Sequence, residues 1–188
     1  MRSISVRMLR LHVDAIPQYP LPTGYHMRLF RPGDRETWIG IMRLSEPTVE
    51  GDWGATFDHE FGHDLPAMAR RGSFLVAPDG RAVGAITAWR LRRYLGLPWG
   101  RIHWVAIVPG HRGKGLSRCL MTSAMERLGA LGHRRAMLET QTHRIPAIRT
   151  YLRFGFVPDM SYGDAARAWR LVRRGVRRGV RHPALRSS

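Results

Sequence analysis

The residues with the most chemical content are Pro109-Gly-His-Arg112-Gly-Lys-Gly-Leu-Ser117, a turn dense in glycine and positive charge. It stands between an apolar, strand-like run, Arg101 to Val108, and a run of helical period that ends near Leu131. A helix start leaves its first N–H groups without intrahelical partners, and the helix dipole points the same way, so such a turn attracts anions. Arg112 and Lys114 add full charges to it. Phosphate is the expected guest. Spacing excludes two common phosphate loops. A Walker A loop needs Lys directly before Ser or Thr, whereas Lys114 precedes Gly115. A dinucleotide fingerprint needs Gly where Arg118 stands, and an acidic residue about twenty positions on that is absent here.

A second segment, His59-Glu60-Phe61-Gly62-His63, is a literal HExxH, the helix in which two His one turn apart grip zinc and Glu activates water. The completing ligand is missing. Pro66 and Ala69 occupy the positions where a longer zinc motif needs Gly and His, and no Glu lies between His63 and Glu126. Zinc hydrolysis is therefore the third-ranked reading, and no metal is expected. The plain alternative is a solvated polar helix face. An intermediate one gives Glu60 or a His a contact with substrate.

The loop Arg112-Gly113-Lys114-Gly115-Leu116, followed by Ser117 where Gly or Ala is usual, resembles the R-x-x-G-x-G/A loop of the GNAT superfamily of N-acetyltransferases. Downstream, the short strand Arg135 to Thr140 precedes Ile145 to Phe156, which is similar to the family's N-x-x-A-x-x-x-Y-x-x-x-G-F block. Ala147, Tyr151, Gly155 and Phe156 are in register, and Arg144 stands where Asn is common. The resemblance covers roughly Leu21 to Leu171 and is sharpest over residues 101–157. It implies an α/β fold: a GNAT-type mixed, mostly antiparallel sheet with splayed central parallel strands, flanked by helices. It also implies that the N–H groups of Arg112, Gly113, Lys114, Gly115, Leu116 and Ser117 hold the pyrophosphate of acetyl-CoA. Pantetheine would lie along the strand edge at Ile107 and Val108, where an amide N–H polarises the thioester carbonyl.

By the same resemblance the Tyr151 phenol lies near the departing sulfur as general acid, with packing against Phe154 and Phe156 as its structural alternative. Arg144 either contacts CoA phosphate or is exposed. For the general base the sequence offers His103 and Glu139 on adjacent strands, plus Glu60. His103 titrates near neutral pH unperturbed, whereas Glu139 needs a raised pKa or a water relay. The implied function is transfer of acetyl from acetyl-CoA to a primary amine of a small molecule or peptide, by direct attack in a ternary complex. The alternative is a catalytically silent CoA-binding module with a basic tail that docks on nucleic acid.

Positioning these residues requires ordered elements. Tyr25 to Arg31 alternates like a strand, and Asp34 caps a helix to about Leu44. Glu46 to Thr56 reads as loop, and Asp58 to Arg70 as a helix cut or bent by Pro66. Ser73 to Leu91 reads as a hairpin turning at Pro78-Asp79-Gly80. Phe156-Val157 and Ala165 to Val172 are read as closing strands. Trp53, Phe57, Tyr94 and Trp99 suggest an apolar or aromatic acceptor.

At 188 residues the chain suits a single domain, read as an extension over 1–22, an acetyltransferase domain over 23–172 and a basic tail over 173–188. No apolar run has the length of a membrane span, and residues 1–22 lack the apolar core of a signal peptide, so cytoplasm is expected. Cys119 is the single cysteine and is read as a buried structural thiol. The net charge is +17, and from Gly163 to Ser188 eight Arg oppose one Asp. Lys114 is the only Lys, so a coding bias toward Arg is the plain cause, and weak polyanion binding by a disordered tail is the functional one. Homodimerisation is left open.

Overall fold

The computed structural model describes residues 3–47 and 51–180. In chain order its elements are β1 (Ser5–Arg10), β2 (His26–Leu29), α1 (Arg35–Ser45), α2 (Trp53–Phe61), α3 (Leu65–Arg71), β3 (Gly72–Val76), β4 (Ala82–Tyr94), β5 (Leu97–Ile107), α4 (Leu116–Ala130), β6 (Ala136–Gln141), α5 (Ile145–Arg153), β7 (Val157–Pro158) and α6 (Ala165–Val180). This is a mixed α/β fold with mostly antiparallel strands. The described residues fall into two compact units, 11–136 on one hand and 3–10 with 137–180 on the other.

The larger unit is built on a ladder in which β2, β3, β4 and β5 pair successively and antiparallel. Its β4–β5 hairpin turns through Leu95 (φ 49°) and Gly96 (φ 76°), and Tyr94 pairs with Leu97. Two positive φ values in a two-residue loop give the turn whose twist matches the strands. Without Asn-Gly or Asp-Gly there, the sequence leaves this hairpin unmarked.

Helix boundaries in this unit follow local chemistry. Asp52 caps α2 by accepting from the N–H groups of Gly54 and Ala55, so the helix starts inside the expected loop. It ends at Phe61, and a 3-10 turn over Gly62–Asp64 leads to α3. Pro66 lies in the first turn of α3, where its missing N–H costs nothing, and so does not interrupt a longer helix. At α1, Asp34 holds the N-cap position, yet its carboxylate bonds Arg28 and the N–H of Arg31 and caps nothing. Helices α1 and α2 bury Trp38, Met42, Phe57 and Phe61 against Phe74 and Trp89. The Cys119 thiol is buried and donates to the Pro20 carbonyl at 3.3 Å, as a structural cysteine should.

In the smaller unit, β1 pairs antiparallel with β7, with Met8 opposite Pro158, and β1 is also a neighbour of β6. The expected 1–22 extension therefore contributes a strand. The other correction concerns residues 165–180. They form one helix, neither a strand to Val172 nor a disordered tail beyond it. Residues 181–188 lie outside the described residues. Ala165, Ala168, Trp169 and Val172 are buried, the i, i+3, i+4, i+7 spacing of a helix stripe.

Gly175, which reads as a helix breaker, permits close packing. A Cβ there would stand 2.6 Å from Ile145 Cδ1 of α5, and Arg149 of α5 donates to the Val176 carbonyl at 2.6 Å. Gly175→Leu should therefore destabilise the protein by about 1–3 kcal/mol in urea unfolding, through overpacking of this contact. An unchanged midpoint would show that α6 does not bear on α5.

Candidate active site

The glycine-rich loop begins where β5 ends. A 3-10 turn, Pro109–His111, brings the chain to Arg112, and Gly113 (φ 79°) and Gly115 (φ 76°) then adopt the left-handed conformation. That conformation is strained for residues with a Cβ, and alternation of such residues makes a concave row of N–H groups that suits anions. Gly115 is the N-cap of α4, no side chain caps that helix, and its first turn has no acidic residue. The Arg118 N–H turns back to the Gly115 carbonyl at 3.0 Å. Lys114 is exposed beside the row.

Arg112 has a different task from the one its charge suggests. Its N–H donates to the Pro109 carbonyl, its Nε to the Ile107 carbonyl at 2.9 Å and its Nη2 to the Ser45 carbonyl at 2.7 Å. It thus ties the loop to the end of β5 and satisfies a terminal carbonyl of α1. The donors left to an anion run from Gly113 to Ser117. At Val108 the N–H already bonds the Val83 carbonyl at 2.9 Å, so this amide does not polarise a bound carbonyl. A second brace joins His111 Nδ1 to the Tyr25 hydroxyl at 2.8 Å.

Strand β5 is irregular just before the loop. Ala106 pairs with Ala85 but His103 with Thr87, so β5 carries one extra residue, and Trp104 lies at φ 50°. Such bulges re-aim side chains, and a bulky residue held at positive φ is costly. Beside the bulge, His103 Nε2 and Glu60 Oε2 are 2.9 Å apart, with side chains 11% and 26% exposed. The hydrogen bond to His103 holds the Glu60 carboxyl below its ordinary value of 4.5, with desolvation working against it. Glu60 is a base candidate in the sequence alongside His103 and Glu139. What marks it is only its place in HEFGH, and the pairing across 43 residues has no local signal.

HEFGH itself is divided. His59 belongs to α2 and His63 to the following 3-10 turn, both are exposed, and Glu60 faces His103. Among the described residues, no group of three or more His, Cys, Asp or Glu is placed to hold a metal.

The remaining candidates belong to the smaller unit. Glu139 accepts from Arg7 at 2.5 and 3.0 Å, and the Arg7 guanidinium also lies 4.0 Å over the Tyr162 ring. Tyr151 on α5 is 7% exposed, with its ring edge-on to Phe156. Burial pushes its phenol up to about 12, opposed by the nearby charge of Arg144. Arg144 sits at the N-cap of α5.

The aromatic residues expected around an acceptor are corrected. Trp53, Phe57 and Trp99 are buried, and the Trp99 indole donates to the Tyr94 carbonyl. They are core. A cavity of about 620 Å³ bounded by His12, Gly129 and His133 lies at the C-terminal end of α4, about 20 Å of helix from the loop.

β5 thus leads through two left-handed glycines to a helix start that no side chain caps, and the same strand carries the histidine of the His103–Glu60 pair. Residues 38–156 match the acetyltransferase (GNAT) family, and the chain belongs to that family of acetyl-CoA-dependent acyltransferases. Curated relatives include mycothiol acetyltransferases of Thermobispora bispora, 28% identical over 80% of this chain and 52% of the relative, and of Pseudarthrobacter chlorophenolicus, 30% identical over 84% and 51%. The chain thus spans about half the length of these relatives. Among solved structures, a GCN5-related N-acetyltransferase from Sphaerobacter thermophilus has the same fold, with a TM-score of 0.65 at 21% identity over 84% of this chain and 49% of that one. An acetyltransferase from Colwellia psychrerythraea has a TM-score of 0.63 at 9% identity, over 84% and 54%. No described helix is long and apolar enough to cross a membrane.

Proposed function

We propose that the protein transfers acetyl from acetyl-CoA to a primary amine by direct attack, with both substrates bound together. The observation that carries this reading is the glycine cradle at the start of α4, where Gly113 and Gly115 are held left-handed beside exposed Lys114. The residues fit the donor: N–H groups from Gly113 to Ser117 bind its pyrophosphate, Lys114 adds charge, and Arg112 keeps the loop rigid. The donor supplies an activated acyl group as a thioester.

The protein's own work is to bring a neutral amine to that group and to move two protons. His103 accepts the proton that the amine loses, and Glu60 orients the ring and stabilises the imidazolium. Glu139 is engaged by the Arg7 guanidinium at 2.5 and 3.0 Å, which leaves His103 the preferred acceptor in this reading. The family resemblance gives Tyr151 the role of proton donor to the leaving thiolate. Its pKa of about 12 keeps the phenol protonated throughout the working range.

The test is thiol release from acetyl-CoA over a panel of amines, amino acids and peptides that includes the acceptor of the relatives named mycothiol acetyltransferases. Tyr151→Phe should reduce kcat about 100-fold with little change in CoA affinity. Unchanged kcat where chemistry limits the rate would leave Tyr151 as packing for Phe156. Absence of thiol release with every amine, together with CoA binding, would favour a silent binding module.

A further inference from the structure

We propose that the exposed face of α6 is a docking surface for the phosphate backbone of duplex nucleic acid. The helix carries Arg167, Arg170, Arg173, Arg174, Arg177 and Arg178 and no acidic residue. The first four are exposed, and none of them has a side-chain hydrogen bond or ion pair among the described residues. They lie opposite the stripe of Ala165, Ala168, Trp169 and Val172 that the smaller unit buries. Arg167 and Arg170, Arg170 and Arg173, and Arg170 and Arg174 are three or four residues apart, where like charges repel on a helix. The fold thus maintains a row of cations that weakens its own helix. An external polyanion removes that repulsion, and over Arg167 to Arg174 the row runs about 10 Å along the axis.

The partner's class follows from what the face lacks. A basic helix that binds a lipid surface inserts its apolar side, but here that side is occupied: Ala168, Trp169 and Val172 are 0%, 5% and 1% exposed. Arg167, Arg170, Arg173 and Arg174 are each exposed and are spread over about two turns of the helix, which suits an extended ligand over a small anion. Guanidinium forks match phosphate oxygens in pairs, and a regular row of them matches a regular row of phosphates. Such contacts position a backbone and carry no sequence information, so binding is expected to be independent of sequence.

The experiment measures binding of the full chain to a labelled duplex of about 20 base pairs and arbitrary sequence, by fluorescence anisotropy over a salt series. Arg167, Arg170, Arg173 and Arg174 are changed together to Gln, and in a second protein together to Lys. Each phosphate contact contributes about 0.9 to the slope of log K against log salt. The Gln protein should lose up to about 3.6 of that slope and bind at least 10-fold more weakly at low salt, while the Lys protein keeps the slope. Matching thermal melts and unchanged thiol release would locate the effect on this face. Equal slopes for the Gln and wild-type proteins, or no duplex binding by wild type, would overturn the proposal. So would binding only to vesicles containing phosphatidylserine, or equally tight binding of poly-glutamate.

Discussion

Gly115→Val is expected to weaken CoA binding by roughly 10- to 100-fold while leaving the protein folded. The residue lies at φ 76°, and a Cβ there would meet Arg118 Nη2 at 2.9 Å. The clash is with the mobile end of a side chain, so the main penalty is conformational. A β-branched residue forced into left-handed backbone costs about 1–3 kcal/mol, and each 1.4 kcal/mol is tenfold in affinity. The loop relieves the strain by rotating away, which disperses the N–H row. Gly113→Val separates the two causes, because nothing lies within 4 Å of a Cβ at that position and φ is 79°. A similar loss there identifies backbone conformation as the common cause. Calorimetry with CoA measures both variants, and wild-type affinity in each would remove the loop from the binding site.

The same loop shows what a sequence discloses. Gly113 and Gly115 announce their conformation by type, and Leu116, Leu120, Ala124 and Leu128 announce a helix by spacing. Chemistry of this local kind is legible because cause and effect lie within a few residues. Arg112 is legible as a residue and not as a role. Its carbonyl partners are Ile107, five residues away, and Ser45, 67 away, and only the fold brings Ser45 to it. The chain's aromatics fail for a related reason. Trp53, Phe57 and Trp99 look like pocket linings when read singly, but Trp53 and Phe57 join Trp38, Phe61 and Trp89 in a packed interior and Trp99 is buried edge-on to Tyr94, surroundings that no short window reveals.

Residues 165–180 failed differently, because the signal was present and was outweighed. Burial at 165, 168, 169 and 172 has helical period, but two glycines and a density of arginine suggested disorder. A glycine costs a helix about 1 kcal/mol relative to alanine, which packing against a neighbour readily exceeds. Here the neighbour is Ile145, which requires the missing side chain at Gly175. β1 was missed because residues 5–10 lie about 130 to 150 positions from the strands beside them, and a six-residue segment has little pattern of its own.

The histidine–carboxylate pair makes the other large prediction, and it separates a proton acceptor from its support. His103→Gln keeps a hydrogen-bonding group near Glu60 but cannot take up the amine proton, so kcat/KM should fall about 100-fold or more. Glu60→Gln still bonds the ring while removing the charge that favours imidazolium. Its rate should fall less, and the ascending limb of kcat/KM against pH should move to lower pH, because the base is then easier to deprotonate. A merely structural role for Glu60 would leave that limb in place.

Stability supplies an independent check on the same pair. The Glu60 carboxyl is lowered from 4.5 in the fold, so its contribution is present above that pH and disappears as pH falls through the lowered value. Glu60→Gln should therefore narrow its stability deficit against wild type below about pH 4 and show it in full near neutrality. Parallel urea midpoints at all pH values would mean that the pair carries no net energy in solution, and a rate limb that also stays fixed would return the base to Glu139 or to water.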